Sequence, residues 1–338
     1  MVGMRKLLIA LFSFILGMAL FLWVVNTIGW RRVVEILQST FSFSEFVTLL
    51  LVTVGIVGVG ILRWKVILKS LGHDVPFLAL IPSYLVGFCI SFVAPMIVFG
   101  GEVFRAFALQ SAKGVPTGKG VASAVIERFV EFTISFFVIV AGVLTLLAHT
   151  TVLPPHVLLL LVAGVSSLGA FIFFFYIKSF RKESILKIFF HKWKNNYLLE
   201  GEKEVFQFFR LTNMGLWKAL GLSLMREALA FLRTWLIVIF LGKFLSFFAL
   251  LSVLGFYLLS VLSPFPGALG IHDTLQAFVF DTFQSEAAMG AAFALIVRIL
   301  EGSIALVGVF MLFPTGTQIL HMFTLKKIEK LFARKHGA

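Results

Sequence analysis

Gly120-Val-Ala-Ser-Ala-Val-Ile-Glu-Arg-Phe-Val-Glu131 occurs a second time, in degenerate form, as Gly290-Ala-Ala-Phe-Ala-Leu-Ile-Val-Arg-Ile-Leu-Glu301. Six of the twelve positions are identical across an offset of 170 residues: Gly120/Gly290, Ala122/Ala292, Ala124/Ala294, Ile126/Ile296, Arg128/Arg298 and Glu131/Glu301. The same offset pairs Gly100 with Gly270, each in a Pro/Gly break just upstream. Both copies carry an Arg-x-x-Glu inside apolar sequence. A duplicated unit with charges in membrane-grade helix reads as a membrane protein built around a central polar site.

Composition points the same way. The chain has 338 residues, 60% hydrophobic and 13% charged, with a mean hydropathy of +1.03. That is outside the range of soluble globular domains. Several apolar runs reach the roughly 20 residues that cross about 30 Å of hydrocarbon as helix. Continuous runs of this length mean helices, because each span must satisfy its own backbone hydrogen bonds. The single cysteine, Cys89, excludes an intrachain disulfide and gives no metal-ligand cluster. The net charge of +13 lies in short loops and tails. This placement is explained by membrane topology and anionic lipid, with no nucleic acid required.

Leu7–Ile28, preceded by Arg5 and Lys6, is read as a retained first helix, since it is long for a signal-peptide core and lacks an evident cleavage site. An amphipathic linker, Val33–Ser44, leads to a second span over Phe46–Leu62, closed by Arg63-Trp-Lys65. Phe77–Val93 is apolar and meets Pro95 and Gly100-Gly101-Glu102; a short piece, Glu102–Ala112, and a long helix over Gly120–Ala148 follow. After a loop at Thr150–Pro155, His156–Ile177 spans again. Phe180–Arg210 is the one sizeable polar stretch, and its Ile185–Trp193 segment mixes aromatics with cations as an interfacial helix does. Leu216–Leu241, Phe247–Leu262, a break at Pro264–Gly270, a short His272–Phe283 and Gly290–Phe313 complete the membrane part.

Lys and Arg collect in cytoplasmic loops. With a cytoplasmic N-terminus, that rule holds for Phe180–Arg210 only if Phe77–Ala112 enters the membrane and returns to the same side. The second half then repeats the pattern from the opposite face. The expected fold is all-α and polytopic: six full transmembrane helices plus two opposed re-entrant helical hairpins in an inverted repeat. The alternative is eight transmembrane helices, with the short pieces counted as ends of their neighbours. The first repeat covers 1–150, the second 151–320, and 321–338 is a basic cytoplasmic tail. The expected location is the plasma (inner) membrane, with both termini cytoplasmic.

Chemistry is expected at two places. The helices restarting after Gly100-Gly101 and after Pro266-Gly267 and Gly270 would point N-terminal N–H groups inward, and such ends favour anions. The alternative is that each break only permits a tight loop. Arg128 and Glu131, like Arg298 and Glu301, share a helix face. A charge at membrane depth costs on the order of 3 kcal/mol, so these side chains face protein or water. They are either packing ion pairs or a phosphate-binding set in which carboxylates orient guanidiniums or carry protons. Glu102 with Arg105, Glu127 and Asp273 are further candidates, and Arg226 and Arg233 lie in a later span. His272 beside Asp273 is a candidate proton relay, though a lone histidine is more often structural. No catalytic or metal motif is present, and no cofactor is called for.

Pro95-x4-Gly100-Gly-Glu102-x2-Arg105, Glu127-Arg128-x2-Glu131, Pro266-Gly-x-x-Gly270-x2-Asp273 and Arg298-x2-Glu301, in that order, resemble the lysylphosphatidylglycerol synthase transmembrane-region family, also described as flippase-like. The resemblance covers about residues 7–315. In that family the second hairpin usually reads Pro-Gly-Gly-hydrophobic-Gly-x-x-Glu; here Ala268 and Asp273 stand at two of those places. Bifunctional members continue into a soluble aminoacyl-transferase domain, whereas a basic tail follows here. The resemblance therefore implies the lipid-translocating half, acting on a phospholipid or polyprenyl-phosphate-linked lipid. The alternative function is a membrane accessory subunit or enzyme in lipid or lipid-linked glycan modification. The expected partners are an anionic membrane lipid and, under that alternative, a membrane-bound lipid-modifying enzyme.

Overall fold

The computed structural model describes residues 29–40, 42–93, 100–149, 155–181, 183, 196–263 and 265–335, plus six scattered positions before residue 29. The expected first helix, the break at Pro95, the Thr150–Pro154 loop, Pro264 and the Ile185–Trp193 segment lie outside these residues. The described residues form α1 (Trp30–Thr40), α2 (Phe43–Ser70), α3 (Phe77–Val93), α4 (Gly100–Lys113), α5 (Thr117–His149) and α6 (Pro155–Arg181). They continue as α7 (Asn196–Phe208), α8 (Met214–Phe240), α9 (Phe247–Val261), a 3-10 turn (Pro266–Ala268), α10 (Ile271–Thr282) and α11 (Ala287–Lys335). The protein is an all-helical, polytopic membrane protein. Among the described residues, four stretches are long and apolar enough to cross a bilayer: α2, α5, α6 and the Ala287–Pro314 part of α11.

The repeat is visible far beyond the twelve-residue motif. Adding 170 carries the first residue of α3 (Phe77) onto that of α9 (Phe247), and that of α5 (Thr117) onto that of α11 (Ala287). Even the helix ends match. α2 stops at Gly72 (φ +84°) and α8 at Gly242 (φ +74°), where glycine takes left-handed backbone at no steric cost. Beyond these glycines, His73 N–H donates to the Leu68 carbonyl at 2.9 Å and Lys243 N–H to the Val238 carbonyl at 3.1 Å, the same closing bond in each copy. The starts are capped locally: Asn213 accepts from Gly215 N–H at 2.8 Å, and Ser246 from Ala249 N–H at 3.2 Å.

The two copies pack reciprocally. α2 lies against α8, with Gly55 beside Leu229 and Gly215 beside Ser70, and Arg63 donating to Ser223 Oγ at 2.9 Å. Rising numbers on one helix meet falling numbers on the other, so these repeat-related helices run antiparallel. α5 packs on α9, and α3 packs on α11. A Cβ at Gly255 would lie 3.1 Å from the Val138 carbonyl oxygen; its counterpart crossing brings Gly308 onto the Leu85 carbonyl. Residues 138 and 308, like 85 and 255, differ by the repeat offset. Such close crossings suit membranes, where helices are held by van der Waals contact between small residues.

α3 and α4 have 17 and 14 residues, and α9 and α10 have 15 and 12. At 1.5 Å per residue these are about 18–25 Å long, short of the roughly 30 Å hydrocarbon core. The excursion through α3 and α4 closes on itself, because Lys119 Nζ donates to the Leu71 carbonyl at 3.0 Å. The tip of the second excursion reaches the first: Gly267, at φ +55°, faces the Phe92 ring, from which a Cβ would be 3.3 Å distant.

The polar stretch after α6 contains structure the sequence pattern did not reveal. α7 docks on the start of α5, with Glu204 3.5 Å from Lys119 Nζ. Likewise α1 packs on α11, burying Val33 and Ile36, while Arg32 donates to Glu286 at 2.9 and 3.0 Å. That bond and the positive charge of Arg32 hold the Glu286 carboxyl below its ordinary range.

Candidate functional site

Two clusters of charge occupy the interior, one per repeat. The first is centred on Glu131 of α5, which is 2.9 Å from Arg63 of α2, 3.0 Å from Arg226 of α8 and 3.7 Å from Arg128 of its own helix. Arg63 also bonds Glu127 at 3.1 Å, and Glu127 is paired with Arg105 of α4. The Arg105 guanidinium lies over Trp64, 4.2 Å from the ring centre, and 5.1 Å from that of Tyr84. Arg128 is paired with Glu102, in the first turn of α4. Arg226 bonds Glu227 at 3.1 Å, and Ser135 donates to Glu227 at 3.2 Å.

The second cluster is smaller. Arg233 of α8 is 3.2 Å from Glu301 of α11, and the Tyr257 hydroxyl donates to the same carboxylate oxygen. Arg298 grips Asp273 through two donors at 2.6 and 3.3 Å, and its Nε reaches the Gly267 carbonyl at 3.4 Å. His272 is buried, its ring centre 5.3 Å from that of Tyr257.

The ion pairs obey the repeat. Arg63–Glu131 and Arg233–Glu301 are each 68 residues apart and are related by the 170-residue offset. Glu102–Arg128 and Asp273–Arg298 correspond to within one residue. On α8, Ser223 marks the level of Arg63; ten residues later Arg233 marks the second cluster, about 15 Å along the axis. The clusters therefore lie at two levels along α8.

Sequence reasoning named most of these residues but misread two relationships. Arg63 was taken as the charged end of a span, yet α2 runs on to Ser70 and Arg63 is only 1% exposed. Its repeat partner, Arg233, was named without that link; subtracting 170 from 233 would have found it. At both helix starts expected to face an anion, a carboxylate of the same helix is present. Asp273 accepts from Gly270 N–H at 3.0 Å and is clamped by Arg298, while Glu102 fills the first turn of α4 beside Arg128. Gly101 serves close packing, since a Cβ there would meet the Gly87 carbonyl. Pro266 and Gly267 form the turn under Phe92.

Together the clusters hold six guanidiniums (Arg63, Arg105, Arg128, Arg226, Arg233, Arg298) and six carboxylates (Glu102, Glu127, Glu131, Glu227, Asp273, Glu301). Burial differs sharply among them. Arg63, Arg105, Glu127, Glu227 and Asp273 are buried, whereas the side chains of Arg128, Arg226 and Arg298 are 31%, 23% and 14% exposed, beside Glu131 at 17% and Glu301 at 18%. The exposed edge can exchange partners; the buried part holds it in place.

Residues 7–308 match the family model described as the lysylphosphatidylglycerol synthase TM region. A UPF0104 membrane protein of Methanocaldococcus jannaschii is 28% identical over 317 residues, covering 87% of this chain and 89% of that relative. No solved structure matches the chain.

Proposed function

The chain belongs to the lysylphosphatidylglycerol synthase TM-region family, and from that premise we propose that it is a lipid translocase of inverted-repeat build. It moves a phospholipid or a polyprenyl-phosphate-linked lipid across the bilayer. The observation that carries this reading is the repeat-related pair of arginine–carboxylate bonds, Arg63–Glu131 and Arg233–Glu301, together with the contact of Gly267 on the Phe92 ring.

Symmetry supports this layout. α2 and α8 are repeat mates that pack antiparallel, so the two-fold relating them is perpendicular to their axes. For helices along the membrane normal, that axis lies in the membrane plane and the halves are inverted. Spans are then the N-terminal apolar run, α2, α5, α6, α8 and the first part of α11, with α3–α4 and α9–α10 as opposed re-entrant hairpins. Positive charge in loops and tails favours cytoplasmic termini, and the plasma membrane is the proposed location. With buried Cys89 replaced by alanine, single cysteines at Asp74, Lys113 and Arg210 are expected to react with an impermeant maleimide from one face. Cysteines at Phe244 and Glu286 are expected to react from the other. Labelling of Arg210 and Asp74 positions from opposite faces would favour the eight-span layout.

The headgroup phosphate engages Arg128 and Arg226 at one depth and Arg298 at the other, while acyl chains stay in lipid. Guanidiniums suit this task because their forked donors match phosphate oxygens. In proteoliposomes carrying a headgroup-labelled lipid, Arg128→Ala and Arg298→Ala are each expected to slow movement by about tenfold or more, the loss of a charge-assisted contact worth roughly 1.5–3 kcal/mol. Unchanged movement in both folded variants sinks the proposal. Chemical conversion of the headgroup would favour a modifying enzyme.

A further inference from the structure

Glu131 and Glu301 occupy the same place in the two repeats, and the protein holds them differently. From neighbouring helices Glu131 receives two guanidiniums, Arg63 at 2.9 Å and Arg226 at 3.0 Å, and Arg128 of its own helix is 3.7 Å away. From neighbouring helices Glu301 receives one guanidinium, Arg233, together with the Tyr257 hydroxyl, while its helix-mate Arg298 clamps Asp273. The difference is written in the sequence. Arg105, Glu127, Arg226 and Glu227 of the first cluster correspond, through the repeat offset, to Leu275, Val297, Ile56 and Val57. Glu131 thus has three guanidiniums within 4 Å, where the guanidinium bonded to Glu301 is that of Arg233.

A second observation marks the same spot. His272 stands where the first repeat has Glu102. It is 3% exposed, packs its ring against Tyr257, and leaves Nε2 without a hydrogen-bond partner. One turn on, buried Gln276 leaves Oε1 unpartnered as well. Buried polar atoms are normally satisfied, so this side of the second cluster has hydrogen-bonding capacity for water or a mobile proton.

We infer that Glu301 is a proton-binding site, and that proton uptake there accompanies binding of a lipid phosphate at Arg233 and Arg298. An O–H bond forms on the Glu301 carboxylate with a proton taken from water, and the ion pair with Arg233 is given up. The second cluster, two guanidiniums against two carboxylates, passes from neutral to a net charge of +1. A monoanionic phosphodiester then enters a site of matching charge, where an unprotonated cluster would leave it uncompensated in a low-dielectric interior. Tyr257 is hydrogen-bonded to Glu301, and its ring is tilted against that of His272 with centres 5.3 Å apart, which puts the imidazole near the carboxylate. The groups around Glu301 are Arg233 of α8, Tyr257 of α9, His272 and Asp273 of α10 and Arg298 of α11. Of the other helices packed on α11, α3 brings Tyr84 and Cys89, α1 brings Arg32 with its bond to Glu286, and α2 and α4 bring Arg63, Glu102 and Arg105, all engaged in the first cluster.

The phosphate half of this inference rests on the lipid-translocation reading; the proton half does not, and the experiment separates them. Infrared difference spectra of the reconstituted protein between alkaline and acid buffer are expected to contain a buried-carboxyl C=O band that is absent in Glu301→Gln and shifted in Tyr257→Phe, where the hydroxyl donor is gone. The band is expected to persist in Glu131→Gln. A band retained in Glu301→Gln, or none in the wild type, overturns the proton site. In proteoliposomes with an internal pH dye, an inward proton gradient is expected to accelerate labelled-lipid movement in wild type, and Glu301→Gln is expected to move lipid at the rate seen without a gradient. Gradient-driven acceleration that survives in Glu301→Gln overturns the coupling. If the band behaves as expected but the wild type moves no lipid, the proton site stands and the translocation reading falls.

Discussion

Replacing Arg63 by alanine is expected to destabilise the protein by about 3–5 kcal/mol, the cost of breaking a buried pair and leaving a charge without its partner. Arg63 is 1% exposed and bonds Glu127, Glu131 and Ser223 at once, joining α2, α5 and α8. Its loss leaves Glu127, itself 3% exposed, with Arg105 as its remaining cation among these bonds. Thermal unfolding in detergent, read by loss of the monodisperse peak, measures the effect. The repeat supplies an internal control, because Arg233→Ala removes the equivalent guanidinium from Glu301 alone and is expected to cost less. Combining Arg63→Ala with Glu131→Gln is expected to recover part of the loss, since the first cluster then again holds equal numbers of guanidiniums and carboxylates. If Arg63→Ala unfolds no earlier than Arg233→Ala, the first cluster is not the structural anchor described here.

The second large effect is expected from a single methyl group. A Cβ at Gly290 would fall on the backbone of α10: on the Gln276 carbonyl, and 2.6 Å from the Ala277 nitrogen. Backbone cannot rotate away, so α10 must move, at a cost of roughly 3 kcal/mol or more at the upper end of overpacking. The same change at Gly120 meets the Ala106 side chain at 3.0 Å, a contact relieved by a few tenths of an ångström. There the gain in helix propensity, about 1 kcal/mol for alanine over glycine, roughly offsets the crowding. Gly290→Ala is therefore expected to lower the unfolding temperature and displace the second hairpin, read as new maleimide reactivity at a cysteine in place of Gln276. Gly120→Ala is expected to behave almost as wild type. Equal effects at the two positions would contradict the packing asymmetry.

The two glycines are indistinguishable in the aligned motif, and this marks the boundary of what sequence reading reached. Phe77–Val93 matches α3 to the residue, and the turn at Pro266–Ala268 falls within the expected Pro264–Gly270 break before α10, because Pro and Gly act locally. The Arg-x-x-Glu pairs stood out because charge in an apolar run is rare at any alignment. α7 was missed because its polar sequence carries no membrane-length apolar signal, and it gains its stability by docking on α5. Arg63 was misplaced because an arginine near the end of an apolar run looks the same whether it snorkels to the interface or turns inward to two glutamates.

Sequence alone therefore determined the helical membrane class, the duplication, the position of the second break and the identity of most charged residues, since each rests on local hydropathy or on self-similarity. Only the tertiary structure decided which guanidinium faces which carboxylate, that Asp273 fills the end of its own helix, and that Glu131 is crowded by cations while Glu301 is not. Those outcomes depend on side chains brought together from helices 68 and 95 residues apart, as in Arg63–Glu131 and Glu131–Arg226. A pairing across such distances is set by how helices cross, and no local pattern in the chain encodes it.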